Sequence, residues 1–388
     1  MKLADRMSRL GTEGAFDVLV RARDLELKGH KVIHMEIGEP DFDTPPNIVN
    51  AGVRALQSGM THYSPSAGIP ELRAAIADHV SRSRGIAVAP ENVVVVPGAK
   101  PIMYFLMTAL LEPGDEVIFP DPGFPIYASM VDFLGAVRKP LILRGENDWH
   151  FDADQFKALL SPHTKLIILN TPHNPTGAVM TREELELIAD AAREHDIFVL
   201  SDEIYERILY EGTHLSIASL PGMLERTCIL DGFSKTYAMT GWRIGYGVMP
   251  EWLAKGVAQL QTNATSCVAT FTQIAGVEAL RGTQEDASKM VAAFKQRRDV
   301  IVSGLNTIKG FHCTMPNGAF YAFPDIRETG KSSSDLARYL LDEAHVGCLR
   351  GDGFGDQGVG HIRFAYAQSV EAIEDALDRI EKAVKRLR

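Results

Sequence analysis

The stretch Asp231-Gly232-Phe233-Ser234-Lys235-Thr236-Tyr237-Ala238-Met239-Thr240-Gly241-Trp242-Arg243 sets a lysine among small and hydroxyl residues, just after an apolar run from Thr227 to Leu230. Most lysines stay in solvent, because they are rarely buried unpaired. An amine held in a confined site, where the ammonium form is disfavoured, becomes nucleophilic enough to condense with a carbonyl group. Lys235 is the candidate for that amine, and its company elsewhere in the chain decides for it. Asn174-Pro175-Thr176-Gly177 is a turn led by Thr171-Pro172-His173, and Asp202 is followed by Tyr205 at the end of an apolar strand pattern. Arg363 interrupts the apolar run His361 to Tyr366, where a charge is costly unless it meets an anion. A guanidinium grips a carboxylate through two parallel hydrogen bonds, and by residue type alone that carboxylate can belong to a substrate or to the protein.

Other patterns carry less. Asp202 and Glu203 are adjacent acids, but neighbours on a strand point to opposite faces, so they cannot flank one bond as a glycosidase pair does. Val96-Pro97-Gly98-Ala99-Lys100-Pro101 reads as a strand, a glycine turn and a helix opening at Pro101, with the amides of Ala99 and Lys100 free to meet an anion. Connections of this kind are mostly structural. Gly353-Phe354-Gly355-Asp356-Gln357-Gly358 spells GxGxxG, yet a strand follows where the dinucleotide fingerprint needs a helix, so it is read as a glycine loop. No metal site is expected, since His173 has no second histidine at ligand spacing.

Together the motifs resemble the class I/II, fold-type I aminotransferases that depend on pyridoxal 5'-phosphate. Within them they are similar to the aspartate aminotransferase subgroup whose lysine site reads Ser-Lys-x-Tyr-Ala-Met-Thr-Gly-Trp-Arg, here Ser234 to Arg243. The resemblance runs from about Ile37 to Arg363. It implies that Lys235 holds the cofactor as a Schiff base and, once freed, moves the substrate's α-proton. It implies that Asp202 faces the pyridine nitrogen and that Tyr205 and Asn174 donate to the phenolic oxygen. Gly98, Ala99, Lys100, Ser234, Arg243 and a Tyr63 lent by a partner subunit are implied to take the phosphate, and Phe124 to stack on the ring where the aspartate branch has tryptophan. Gly38, Asn174 and Arg363 are implied to hold the substrate, Arg363 by its α-carboxylate. Pro97 departs from the pattern and removes one possible donor.

The implied activity is transfer of an α-amino group between an L-amino acid and a 2-oxoacid, in two half-reactions, by a homodimer. Two rivals use the same residues: a β-eliminating lyase dependent on the same cofactor, and a non-catalytic sensor that only binds it. Phe124, and the lack of any lysine or arginine from Gly11 to Val20, lean towards donors with neutral side chains.

These residues need a large scaffold, and 388 residues with 45% hydrophobic content can bury one, in two or three domains. Forty basic against fifty acidic residues, a net charge of -10, argue against nucleic acid or an anionic membrane as partner. Four scattered cysteines without a CxxC pair fit a reducing cytoplasm, and residues Met1 to Phe16 lack the apolar core of a signal peptide. From Asn47 to about Glu278, apolar strand runs such as Val93 to Val96, Leu166 to Leu169 and Ile197 to Leu200 alternate with helical patterns such as Arg182 to His195. That alternation predicts an α/β fold, a mostly parallel sheet sandwiched by helices, with ligands beyond the carboxyl ends of the strands. Beyond a helical pattern at Asp286 to Leu305, short strands at Phe311 to Cys313, Ala319 to Phe323, Val346 to Leu349 and His361 to Ala365 suggest a smaller α+β unit. The resemblance adds the N-terminal segment to that unit, giving residues 1–46 joined to 286–388 around a large unit at 47–285.

Overall fold

The computed structural model describes residues 2–387. Its centre is a seven-stranded sheet in the order Val93–Val96, Gly245–Val248, Thr227–Gly232, Phe198–Asp202, Thr164–Asn170, Glu116–Asp121, Val137–Ile142. Every pairing is parallel except those of Gly245–Val248, which runs against both neighbours. The run Val93 to Val96 explains the architecture at residue level. Val94 and Val96 pack with Ile102 and Leu106 on one face, whereas Val93 and Val95 pack with Leu72 and Ile76 on the other. With alternate side chains buried on opposite faces, the strand has no polar side, and helices must cover both.

Four strands run past their apolar stretches at the carboxyl end, so that Asp121, Asn170, Asp202 and Gly232 are strand residues. Val137–Ile142 is an edge strand that the sequence reading left out. Its residues Val137 and Arg138 are exposed and it contains Pro140, so its polarity hid it.

The carboxyl-terminal part packs the helices Glu285–Leu305 and Val370–Val384 against short strands, around Phe294, Phe320, Leu340 and Phe364. Ile33 and Met35 join this core, and the two-residue strand Ile33–His34 pairs in parallel with Val346–Gly347. The short apolar stretch Lys31 to Ile37 forms a strand over those two residues alone, and the expected strand Phe311 to Cys313 makes only an isolated bridge, His312 with Asp325. Thr44, a residue type that often caps a helix, makes no cap for the helix Pro46–Gln57. Its hydroxyl donates to the carbonyl of Ala238 and accepts from Trp242 Nε1 at 3.0 Å, tying the turn to the segment after Lys235. No helix among the described residues is long and apolar enough to cross a membrane.

Candidate active site

The carboxyl ends of the central strands open into a cavity of about 510 Å³. Gly38, Ala99, Lys100, Phe124, Asn174, Asp202, Tyr205, Ser234, Lys235, Arg243 and Arg363 all line it, although they are spread over more than three hundred residues of chain. Gly98 stands behind the lining: its φ is +77° and a Cβ on it would collide with the Arg243 guanidinium, so the turn must be glycine for Arg243 to lie across it. Likewise a Cβ at Gly245 would come within 2.5 Å of the Ala99 amide nitrogen. The helix behind this turn begins at Lys100, one residue earlier than Pro101. Arg243 itself sits at φ +53°, a left-handed conformation uncommon for a residue with a side chain, and its Nη1 donates to the Thr240 carbonyl at 2.8 Å. Tyr63 lies elsewhere and is 90% exposed.

Lys235 follows the strand Thr227–Gly232 directly, and its Nζ donates to the Gly38 carbonyl at 2.5 Å. Burial lowers its pKa to about 8, with Glu39 opposing and Arg363 assisting. A tenth or so of such an amine is neutral at pH 7, far more than for a solvated lysine near 10.4. Asp202 ends the neighbouring strand, buried, and burial raises its pKa to about 6. Tyr127 Oη donates to Asp202 Oδ2 at 2.6 Å and the Ile204 amide donates to Oδ1 at 3.3 Å, which orients the carboxyl group.

Arg363 is 4% exposed. Its Nη1 donates to Asn174 Oδ1 at 3.0 Å and its Nη2 to the Glu36 carbonyl at 2.6 Å, while Nε has no partner. The guanidinium lies over the ring of Tyr321 at 4.4 Å. No protein carboxylate pairs with it among the described residues. The buried cation is held by neutral groups and lines the cavity.

Three contributors escaped the sequence reading. Tyr127 is three residues after Phe124 on the helix Pro125–Leu134, and its ring packs edge-on against Phe124 at 5.6 Å. Tyr321 shares a 2.6 Å hydrogen bond with Tyr205, and a Cβ at Gly38 would collide with its hydroxyl. Arg84, fully buried, donates from Nε to Glu203 Oε2 at 3.0 Å and from Nη2 to Asp231 Oδ2 at 2.8 Å. It ties together the strand ends that carry Asp202 and Lys235. Local sequence gives no signal for it, because its partners lie over a hundred residues away. Replacing Arg84 with alanine takes the buried guanidinium from both acids, leaving Glu203 with Ser201, Ser216 and His214 and Asp231 with Tyr246 and the Gly232 amide, and urea unfolding is expected to show a loss of about 3–5 kcal/mol. A midpoint equal to that of the wild type would contradict it.

His30 and His34 stand at HxxxH spacing, a pair that the expectation of no metal site did not weigh. They are not a metal pair in the fold, since His34 Nδ1 and Nε2 are engaged by Glu36 at 2.7 Å and Glu26 at 3.2 Å. The hydrogen bond to Glu36 raises the His34 pKa to about 9, which favours the protonated ring over a metal ligand. His173 is neutral by burial and bonded to Thr176 Oγ1 at 2.8 Å, a supporting role for the turn before Asn174.

Residues 30–380 match the family described as aminotransferase class I and II. The chain is 38% identical to an aspartate aminotransferase of Musicola paradisiaca, covering 98% of this chain and 96% of that protein. It is 39% identical to aromatic-amino-acid aminotransferase 2 of Thermococcus litoralis, covering 99% of both. Among solved structures, an aspartate aminotransferase from Thermus thermophilus with maleate superposes with a TM-score of 0.93 at 37% identity, over 99% of this chain and all of the other.

Proposed function

The chain belongs to the class I and II aminotransferases, pyridoxal-phosphate-dependent enzymes of amino-group transfer, and from that premise we propose which of its residues hold the cofactor and the substrate. The cavity fits the cofactor in its donor set. A glycine cradle with Arg243 laid across it, Ser234 and the start of the helix at Lys100 suit a phosphate, and a buried acid whose proton affinity is raised suits a ring nitrogen. When bound, pyridoxal phosphate supplies a carbonyl carbon that condenses with an amine and a ring that withdraws electrons from the substrate's α-carbon.

The protein's own residues do the rest. Asp202, steadied by Tyr127, keeps a proton at the ring nitrogen. Tyr205 and Asn174 donate to the phenolic oxygen, and Phe124 covers the ring. Arg363, already oriented by Asn174 and the Glu36 carbonyl, takes the α-carboxylate of the amino acid and leaves its α-carbon facing Lys235. Lys235 would supply the amine that condenses with the cofactor's carbonyl and, when its amine is free, would take the substrate's α-proton as base and return it as acid. The observation that carries this reading is the convergence on one cavity of a depressed lysine, a raised aspartate and a buried arginine without a protein counter-ion.

A homodimer is part of the proposal. Tyr63 leaves an aromatic ring in solvent in the single chain, which suits a residue lent to a neighbouring cavity. Sedimentation showing a monomer at micromolar concentration with full activity would sink that part. The division into residues 1–46 with 286–388 and a separate 47–285 is proposed on the pairing of Ile33–His34 with Val346–Gly347, and limited proteolysis that cut first inside the central sheet would contradict it.

The function is tested by absorption spectroscopy of the purified protein. Bound cofactor is expected to lose its near-visible band on addition of a single amino acid and regain it with an oxoacid. Release of pyruvate and ammonia instead would favour the β-eliminating reading. Capture of pyridoxal phosphate by apoprotein needs the neutral amine, so with a folded pKa of about 8 its rate is expected to rise about tenfold per pH unit below that value and level off above it. A flat stopped-flow profile between pH 6 and about 8 would exclude Lys235 as the group that titrates.

A further inference from the structure

The relatives are named for different donors, aspartate in one and aromatic amino acids in another, so likeness alone leaves the side-chain preference open. The cavity wall narrows it. With the α-carboxylate on Arg363 and the amine towards Lys235, a donor's side chain meets the wall formed by Glu13, Ala15, Phe16, Lys100 and Phe124. Four cations line the cavity: Lys100, Lys235, Arg243 and Arg363. The last three are committed to the chemistry, the phosphate and the α-carboxylate, which leaves Lys100 as the one lining cation able to hold a second carboxylate among the described residues.

Lys100 is already engaged. Its Nζ forms an ion pair with Glu13 Oε1 and lies over the Phe124 ring at 5.2 Å. Glu13 is the more enclosed partner, with its side chain 19% exposed against 51% for Lys100. Were Lys100 to swing away, Glu13 would still face the cavity as a negative charge. The rest of that wall, Ala15, Phe16 and Phe124, is apolar.

Resting on the aminotransferase reading above, we propose that Glu13 is a specificity-determining residue which, by occupying Lys100 and repelling a second carboxylate, restricts the donors to amino acids with uncharged, chiefly apolar side chains. Removal of the Glu13 charge frees Lys100 and opens the site to dicarboxylates. The hydrogen bond this gains is charge-assisted on both sides, worth roughly 10- to 100-fold in affinity.

The experiment compares wild type, Glu13→Gln and the double variant Glu13→Gln with Lys100→Met, all as holoenzyme. Calorimetry measures binding of two unreactive carboxylates, maleate and hydrocinnamate, and steady-state kinetics compares aspartate with phenylalanine. Glu13→Gln is expected to tighten maleate by roughly 10- to 100-fold, leave hydrocinnamate unchanged and shift kcat/KM towards aspartate. The double variant is expected to lose that gain, which separates the Lys100 charge from any general loosening of the segment. Wild type that binds maleate as tightly as Glu13→Gln, or that prefers aspartate, overturns the proposal while leaving the aminotransferase reading standing. Wild type that transaminates no donor of either kind overturns the reading beneath it as well.

Discussion

Lys235→Ala is expected to lose transamination by about 10⁴-fold or more, the upper range for removing a positioned acid–base group, with the nucleophile lost in addition. The side chain lines the cavity with its amine on the Gly38 carbonyl, and burial holds it at a pKa of about 8, where it can both take and return a proton near neutrality. Its replacement removes one hydrogen bond, to the Gly38 carbonyl, so the fold is expected to survive and thermal unfolding to remain close to that of the wild type. Stability and activity therefore part company in this variant. Added methylamine is expected to restore a measurable fraction of the rate by acting from solution in place of the missing amine. Activity within tenfold of the wild type would remove Lys235 from the mechanism.

Arg363→Lys is expected to lower kcat/KM for every amino acid donor by roughly 30- to 5000-fold, the range for truncating one partner of a buried charged pair. Lysine keeps the charge but not the planar fork, so the simultaneous bonds to Asn174 Oδ1 and the Glu36 carbonyl, with an edge left for a carboxylate, cannot be reproduced. The loss is expected in KM for the amino acid and the oxoacid alike, whereas the absorption of bound cofactor stays unchanged. Because the α-carboxylate is common to all donors, the effect does not discriminate between aspartate and phenylalanine, which distinguishes it from the effect of Glu13→Gln. A variant that lost its cofactor but bound oxoacid normally would assign Arg363 to the wrong group.

The central sheet was legible because its strands carry their burial in their composition. Val93 to Val96 is apolar at every position since both faces are covered, and local residue type alone reports that. The edge strand Val137–Ile142 was not legible, because an exposed edge with a proline and two basic residues has the composition of a loop, and only pairing with Glu116–Asp121 makes it a strand. Two-residue strands such as Ile33–His34 exist through partners over three hundred residues away and have no local pattern at all.

The chemistry divides in the same way. By itself the sequence singled out the groups proposed to react, since Lys235, Asp202, Asn174 and Arg363 sit in short motifs whose residue types are unusual where they stand: a lysine among hydroxyls after a strand, an arginine inside an apolar run. The tertiary structure decided what each of them meets. That Asn174 orients Arg363, that Tyr127 holds Asp202, that Arg84 joins the two strand ends and that Glu13 occupies Lys100 are all contacts between residues 75 to 189 positions apart. Sequence fixes which groups exist and what they cost to bury, whereas the partners that offset this cost are chosen by which strand ends and loops the parallel crossovers bring to one edge of the sheet.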